Sequence, residues 1–401
     1  MRSRGAMLAA VGGLVIAGCG SGPPASHAGH PVVRASQAGP CSGTARLAAG
    51  AGVAAWRLGA IRFVSADVGV GLTAPEIPCA RSLGKNMGTE VTDQAQPVRL
   101  AVTGDGGRHW VITGRTLPGP ADVYGLQVAA VAGRAVWVVS PAGQLLATRD
   151  DGLTWARQPV PAPVVAAGSA GGWLWALSCP AVSQSACRPV AERMRLPGGT
   201  WNRTRPAVAG TAQAVSLTVL SGRAAVVVVS RRHPVLASTA DGGAHWSVRP
   251  APADPGYLCT ADVQGPFTAS GPDDWWLLCL GGAAAGSSNK ALLRTTDAGR
   301  NWTVTATASL MDPRSGSLPL QDGAAIAASP DGWLWIATPN TLSVSTDGGA
   351  RWSRVLANSG GYFGQFDVLA GTVAWLLAPG AGLWRTTDGT SWHAVGGAGP
   401  G

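Results

Sequence analysis

The chain has 401 residues, with 57 Gly, 29 Pro and 17 Trp against 3 Tyr and 4 Phe, and a net charge of +9. Charged residues make up 13%, with Glu confined to Glu76, Glu90 and Glu192 and Lys to Lys85 and Lys290, which excludes a helical bundle or coiled coil built on Glu, Lys and Leu. A hydrophobic share of 46% excludes a wholly disordered chain, and the arginines form no basic stripe with interleaved aromatics, so nucleic acid is not an expected partner.

In chain order the first feature is a short positive segment, Arg2 and Arg4, followed by an apolar stretch from Ala6 to Ala17. That stretch is as long as a signal-peptide core and too short to span a membrane. It ends in Ile16-Ala17-Gly18-Cys19, which resembles the bacterial lipobox. The resemblance implies a signal peptide over 1–18, diacylation of Cys19, and a mature protein held at the extracytoplasmic face of the cell membrane. The alternative is an ordinary secretory signal with a coincidental Cys. Gly20-Ser21-Gly22-Pro23-Pro24 reads as the start of a flexible tether over 19–48. Six further cysteines, Cys41, Cys79, Cys179, Cys187, Cys259 and Cys279, are an even number in an exported chain and predict disulfides. Sequential pairing is favoured among the possible connectivities. No C-x-x-C with a nearby His occurs, so no metal and no cofactor is expected.

From about residue 100 one octapeptide recurs: Thr103-Gly-Asp105-Gly-Gly-Arg-His-Trp110, then the copies holding Asp150 and Trp155, Asp241 and Trp246, Asp297 and Trp302, and Asp347 and Trp352. A last copy, with Asp388 and Trp392, is one residue short, and Pro197-Gly198-Gly199-Thr200-Trp201 is an eroded copy without its Asp. The period fits four-stranded propeller blades. Upstream of each copy lies a short apolar run, among them Ala135–Val139, Trp173–Leu177, Trp275–Leu278, Trp333–Ala337 and Val373–Leu377, as expected for a strand buried on both faces. The blades are predicted at 53–118, 121–160, 163–208, 211–250, 257–308, 320–358 and 362–397. Extra length near 75–97 and 281–290 is expected to form loops, and residues 50–58 are expected to complete the last blade beside Trp392.

The Ser/Thr-x-Asp-x-Gly-x-x-Trp repeat resembles the Asp-box, or BNR repeat, of sialidases, sortilin-type propellers and photosystem II assembly-factor propellers. The resemblance implies an all-β, seven-bladed propeller over 49–398, in which the box joins the third and fourth strands away from the substrate face. Its Asp and Trp residues are then structural. Sialidase chemistry needs an arginine triad, a Tyr backed by Glu, and an Asp, and these cannot be assembled from Tyr124, Tyr257, Tyr362 and three Glu. The aspartates Asp67, Asp122, Asp262, Asp322 and Asp367 recur near blade starts and are expected to cap the entry to each first strand, while Asp273-Asp274 sits in an ordinary turn. No catalytic residue is assigned. The leading reading is a monomeric, non-enzymatic binding or assembly scaffold whose propeller face takes an envelope protein or a glycan. The alternative is an exported glycoside hydrolase. A third reading, binding of an anionic polymer, rests on the arginine excess alone.

Overall fold

The structure, a computed structural model, describes residues 56–75, 97–119, 125–161, 163–179, 181–183, 186–206, 214–230, 235–252, 264–312, 316–321, 325–339, 341–357, 365–378 and 382–395. The signal, tether and lipidation expectations, including Cys19, lie outside them, as do Cys41, Cys79, Cys259, Asp122, Asp262, Asp322 and the three tyrosines.

Strands fall into seven antiparallel sheets of four, each in simple up-and-down order, plus one small hairpin. The first strands are Trp56–Phe63, Gln127–Ala132, Val164–Ala170, Ala214–Val219, Gln264–Ala269, Ala325–Ala328 and Gln365–Ala370. Each touches the first strand of the next blade, and the last touches the first, so the seven form a closed ring around an axis. The chain is an all-β, seven-bladed propeller, as its periodicity predicts.

Two local expectations are corrected. Trp56–Phe63 is not added to the last blade; it is the inner strand of the first blade, paired Trp56↔Pro75 through Phe63↔Gly69. The last blade closes with its own fourth strand, His393–Val395. Residues 281–290 are not a loop either. Trp275–Ala284 and Ser287–Thr295 form one long hairpin, paired out to Ala284↔Ser287. Its turn is Ala285-Gly286, both with positive φ (50° and 76°), the geometry that matches the twist of flanking strands. The small hairpin, Ala181–Ser183 with Ala186–Cys187, is inserted between the second and third strands of the third blade.

The core lies between blades. Trp137, Trp175, Trp275, Trp276, Trp335 and Trp375 on the second strands are at most 1% exposed. Burying a tryptophan of that kind is worth about 4–6 kcal/mol of apolar transfer, several times a net hydrogen bond of about 1 kcal/mol. Adhesion between blades is therefore hydrophobic, and polar contacts set the register. Three indoles do this alike: Trp276 Nε1 donates to Gly348 O, Trp335 Nε1 to Gly389 O and Trp375 Nε1 to Gly106 O, each at 3.0 Å and each onto the octapeptide turn of the following blade. Trp137, which precedes the eroded third turn, and Trp175, which precedes the complete fourth, have buried Nε1 atoms with no acceptor among the described residues.

A second brace alternates around the ring. Arg193, Arg294 and Arg385 lie directly across the sheet from Trp175, Trp276 and Trp375. Their guanidinium carbons stand 5.5, 5.0 and 5.6 Å from those rings, within cation–π range. Each guanidinium also packs against the residue after the turn Asp of the next blade, Gly242, Gly348 and Gly106, where a Cβ would clash with it.

Candidate interaction faces

The repeated turn is built from its own residues. Thr103 Oγ1 donates to Asp105 Oδ1 (2.9 Å) and accepts from Gly107 N (3.0 Å), while Asp105 Oδ1 accepts from His109 N (2.9 Å). The copies at Asp150, Asp241, Asp297 and Asp347 repeat this within 0.2 Å. In the short copy, Asp388 accepts from Thr390 N and Ser391 N (2.9 and 2.6 Å). These donors stabilise the ionised carboxylate. The Thr154 hydroxyl and N–H bring Asp150 down to about 2, and the Asn301 N–H, the Thr295 hydroxyl and the Asn301 amide do the same for Asp297. Asp105 and Asp241 are held lower still, chiefly by the N–H groups of His109 and His245, and Asp388 chiefly by the Ser391 hydroxyl and N–H. The Arg351 N–H lowers Asp347. All six carboxylates are engaged within their turns. His109 and His245, which the sequence offers only as a variable slot, add Nδ1 contacts to Asp105 and Asp241 at 2.5 and 2.6 Å.

The tryptophans of the motif close over these turns. Trp110 and Trp392 are buried at 8% and 6% exposure, and Trp155, Trp246, Trp302 and Trp352 are half-buried. Trp110 Nε1 and Trp352 Nε1 bond Gly107 O and Gly349 O at 2.9 Å, and Trp246 Nε1 bonds Thr204 Oγ1 at 2.9 Å.

Four of the repeated turns are knitted by a backbone hydrogen bond to the turn between the first and second strands of their own blade. Gly106 N donates to Asp67 O, Asp151 N to Arg134 O, Gly242 N to Arg223 O and Ala298 N to Asp273 O, at 2.7–3.4 Å. One end of the propeller is thus a collar of short, interlocked turns. The opposite end carries the other connections, including the Ala181–Cys187 hairpin and the tip of the Trp275–Thr295 hairpin. There Lys290, fully buried, donates from Nζ to Pro319 O, Leu320 O and Gln321 O at 3.1, 3.0 and 2.6 Å, binding that hairpin to the 316–321 segment.

Along the axis, the described first strands hold a single carboxylate, Asp367. It is 4% exposed, accepts the Phe63 N–H, and lies 3.4 Å from Arg62 Nη1. Burial raises its pKa, opposed by Arg62 and the Phe63 N–H. Arg62, more than a third exposed, also reaches Ser169 O of the third blade at 3.4 Å. Gln365 bonds both the N–H and C=O of Ile61 (3.2 and 3.3 Å), and Gln127 does the same to Ala167 (3.4 and 2.8 Å). These amides bridge inner strands of neighbouring blades, a role for which the sequence gives no signal beyond Gln as first residue of three inner strands. The expectation that Asp67 and Asp367 are equivalent caps is corrected. Asp67 sits in the exposed turn after its strand, whereas Asp367 lies within its strand and joins the last blade to the first. Asp274 forms a two-point ion pair with Arg294 at 2.8 and 3.1 Å and accepts from Ser270, which makes it a turn brace. Cys179 and Cys279 are buried at 7% exposure; the side chains of Cys187 and Cys259, their expected partners, are outside the description.

No protein-family model matches this chain, and no curated protein does. Solved structures do. YCF48 from Cyanidioschyzon merolae is 14% identical with TM-score 0.51, over 84% of this chain and 94% of that one. Sqt1 from Chaetomium thermophilum is 9% identical with TM-score 0.52, over 84% and 83%. A structure of YCF48 bound to D1 peptide is 17% identical with TM-score 0.49, over 85% and 94%. At these identities the likeness establishes the propeller fold and no more.

Proposed function

We propose that this protein is a non-enzymatic binding or assembly scaffold, tethered through lipidated Cys19 to the outer face of the cell membrane and engaging an envelope partner with the propeller end opposite the turn collar. The observation that carries this is on the axis: the one carboxylate of the described inner strands is committed to Arg62 and the Phe63 N–H. A glycosidase of the two-carboxylate type needs an acid and a second carboxylate facing it across a cleft. The resemblance of the turn motif to assembly-factor propellers agrees with the scaffold reading. Disulfides Cys179–Cys187 and Cys259–Cys279 would fasten the connections at the binding end. Buried Cys179 at the root of the small hairpin supports the first, and buried Cys279 in the long hairpin supports the second.

The test is photo-crosslinking of the full-length protein in its own envelope, with probes at the Ser287 hairpin tip and, as control, at exposed Leu153 on the collar. Specific adducts from the tip alone are the expected result. Equal adducts from both would overturn the assignment of the binding end. Hydrolysis of glycosides by purified protein, lost in Asp367→Asn, would replace the scaffold with an enzyme. Metabolic acyl labelling should vanish in Cys19→Ala, and unchanged labelling would remove the anchor.

A further inference from the structure

The third blade departs from the repeat. Where six turns hold a carboxylate, this one has Leu196 in the aligned position, followed by Pro197-Gly198-Gly199. At that departure the surface opens into a cleft of about 550 Å³ between the second and third blades, on the collar end. Its walls carry three arginines, Arg134, Arg149 and Arg195, and no acid, and its apolar part is Ala132, Ala135, Leu196 and Pro197. Arg134 is held by Asp151 at 2.5 Å. Arg149 and Arg195 have no carboxylate partner among the described residues, so two guanidinium charges stand uncompensated in one concavity. Glycine shapes the site: a Cβ at Gly198 would come within 2.8 Å of Arg149 Nη2 and displace it.

From these observations we infer that the cleft is a binding site for an oxyanion of phosphate or carboxylate type, held between Arg149 and Arg195 in the place that the absent turn aspartate leaves without negative charge. Guanidinium forks match the oxygens of such groups and form charge-assisted hydrogen bonds. The apolar patch offers room for a small body attached to the anion, and the volume is in the range of small-molecule sites. The site is distinct from the proposed partner-binding end and does not depend on it.

The experiment is calorimetric titration of the full chain with inorganic phosphate at low ionic strength, with Arg149→Gln, Arg195→Gln and Leu196→Asp alongside. Saturable binding by the wild type is expected, weakening as salt screens the charges. Each Arg→Gln change should lower affinity about tenfold, the loss of one charge-assisted contact. Leu196→Asp, which restores the motif's carboxylate but removes an apolar side chain packed on the inter-blade core, should abolish binding in protein that circular dichroism shows to be folded. Arg223→Gln, the fourth-blade counterpart of Arg134 and outside the cleft, should change nothing. Glycerol 3-phosphate and phosphatidylglycerol vesicles, the latter compared with phosphatidylcholine, separate a soluble ester from a lipid headgroup as the source of the anion. Absence of saturable binding, or equal affinity in the folded Arg149→Gln, Arg195→Gln and wild-type proteins, would overturn the site.

Discussion

At the scale of single residues, the turn position after each aspartate is governed by the blade before it. Gly242, Gly348 and Gly106 follow blades that carry Arg193, Arg294 and Arg385. In the second and fifth blades the same position holds Asp151 and Ala298, at φ of 58° and 57°. The blades before those place Val102 and Ser238 where the others place arginine. At these three positions glycine is required by the neighbouring guanidinium as well as by the left-handed backbone, whereas at Gly389 of the last blade, preceded by Val344, a Cβ would meet the Trp333 ring instead. Gly348→Ala should destabilise by about 1–2 kcal/mol, from the left-handed backbone and the displaced arginine, measured by urea unfolding. In an Arg294→Ala background the same change should cost less, and a non-zero coupling in that double-mutant cycle is the readout. The Asp and Trp of each turn are legible in the sequence because they recur. The arginine partners are not, since each sits one blade away and belongs to no local pattern.

At the scale of elements, the second strand is both the blade's hydrophobic centre and its link to the next blade. Trp335 packs between Trp333, 6.2 Å away ring to ring, and the following blade, and donates to Gly389 O. Trp335→Phe keeps most of the apolar burial and should cost about 1 kcal/mol for the lost hydrogen bond. Trp335→Ala should cost about 3–5 kcal/mol. Chemical denaturation distinguishes the two, and equal losses would show that the indole N–H governs the contact. The burial of these strands follows from their apolar runs. The strand character of residues 281–290 is hidden because Gly and Ala give no alternation to read, and only the Leu280↔Lys290 to Ala284↔Ser287 register reveals it.

At the scale of the whole molecule, the ring is closed by side chains rather than by a shared strand. Phe63 stacks on Trp375 with centroids 3.7 Å apart, Trp375 bonds Gly106, Gln365 bonds Ile61, and Asp367 takes the Phe63 N–H. Gln365→Ala with Asp367→Ala leaves buried backbone groups unpaired at that seam and should lower stability by about 2–4 kcal/mol, seen as a lower melting temperature. The acid response of the molecule sums its turns. Six aspartates have pKa values below their unfolded value of about 3.9, two of them at about 2. Their support is complete above that unfolded value and is lost as pH falls through the folded ones. Asp367 works the other way, since its raised pKa favours the protonated form and its contribution fades as pH rises through that value. The melting temperature should therefore drop between about pH 4 and pH 2, and a flat profile would contradict the turn electrostatics. Blade number and order are legible from the tryptophan period. The closure is not, because it joins residues about 300 positions apart in the chain.

The carbonyl cage around Lys290 has a practical consequence. The chain contains two lysines, and this one is fully buried with its ammonium donated to three backbone oxygens. Acylating or alkylating reagents that attack free amines will not reach it in the folded protein. Labelling, immobilisation and mass-spectrometric mapping of this protein are therefore better directed at its arginines and carboxylates, and the appearance of modified Lys290 would itself report that the fifth blade has opened.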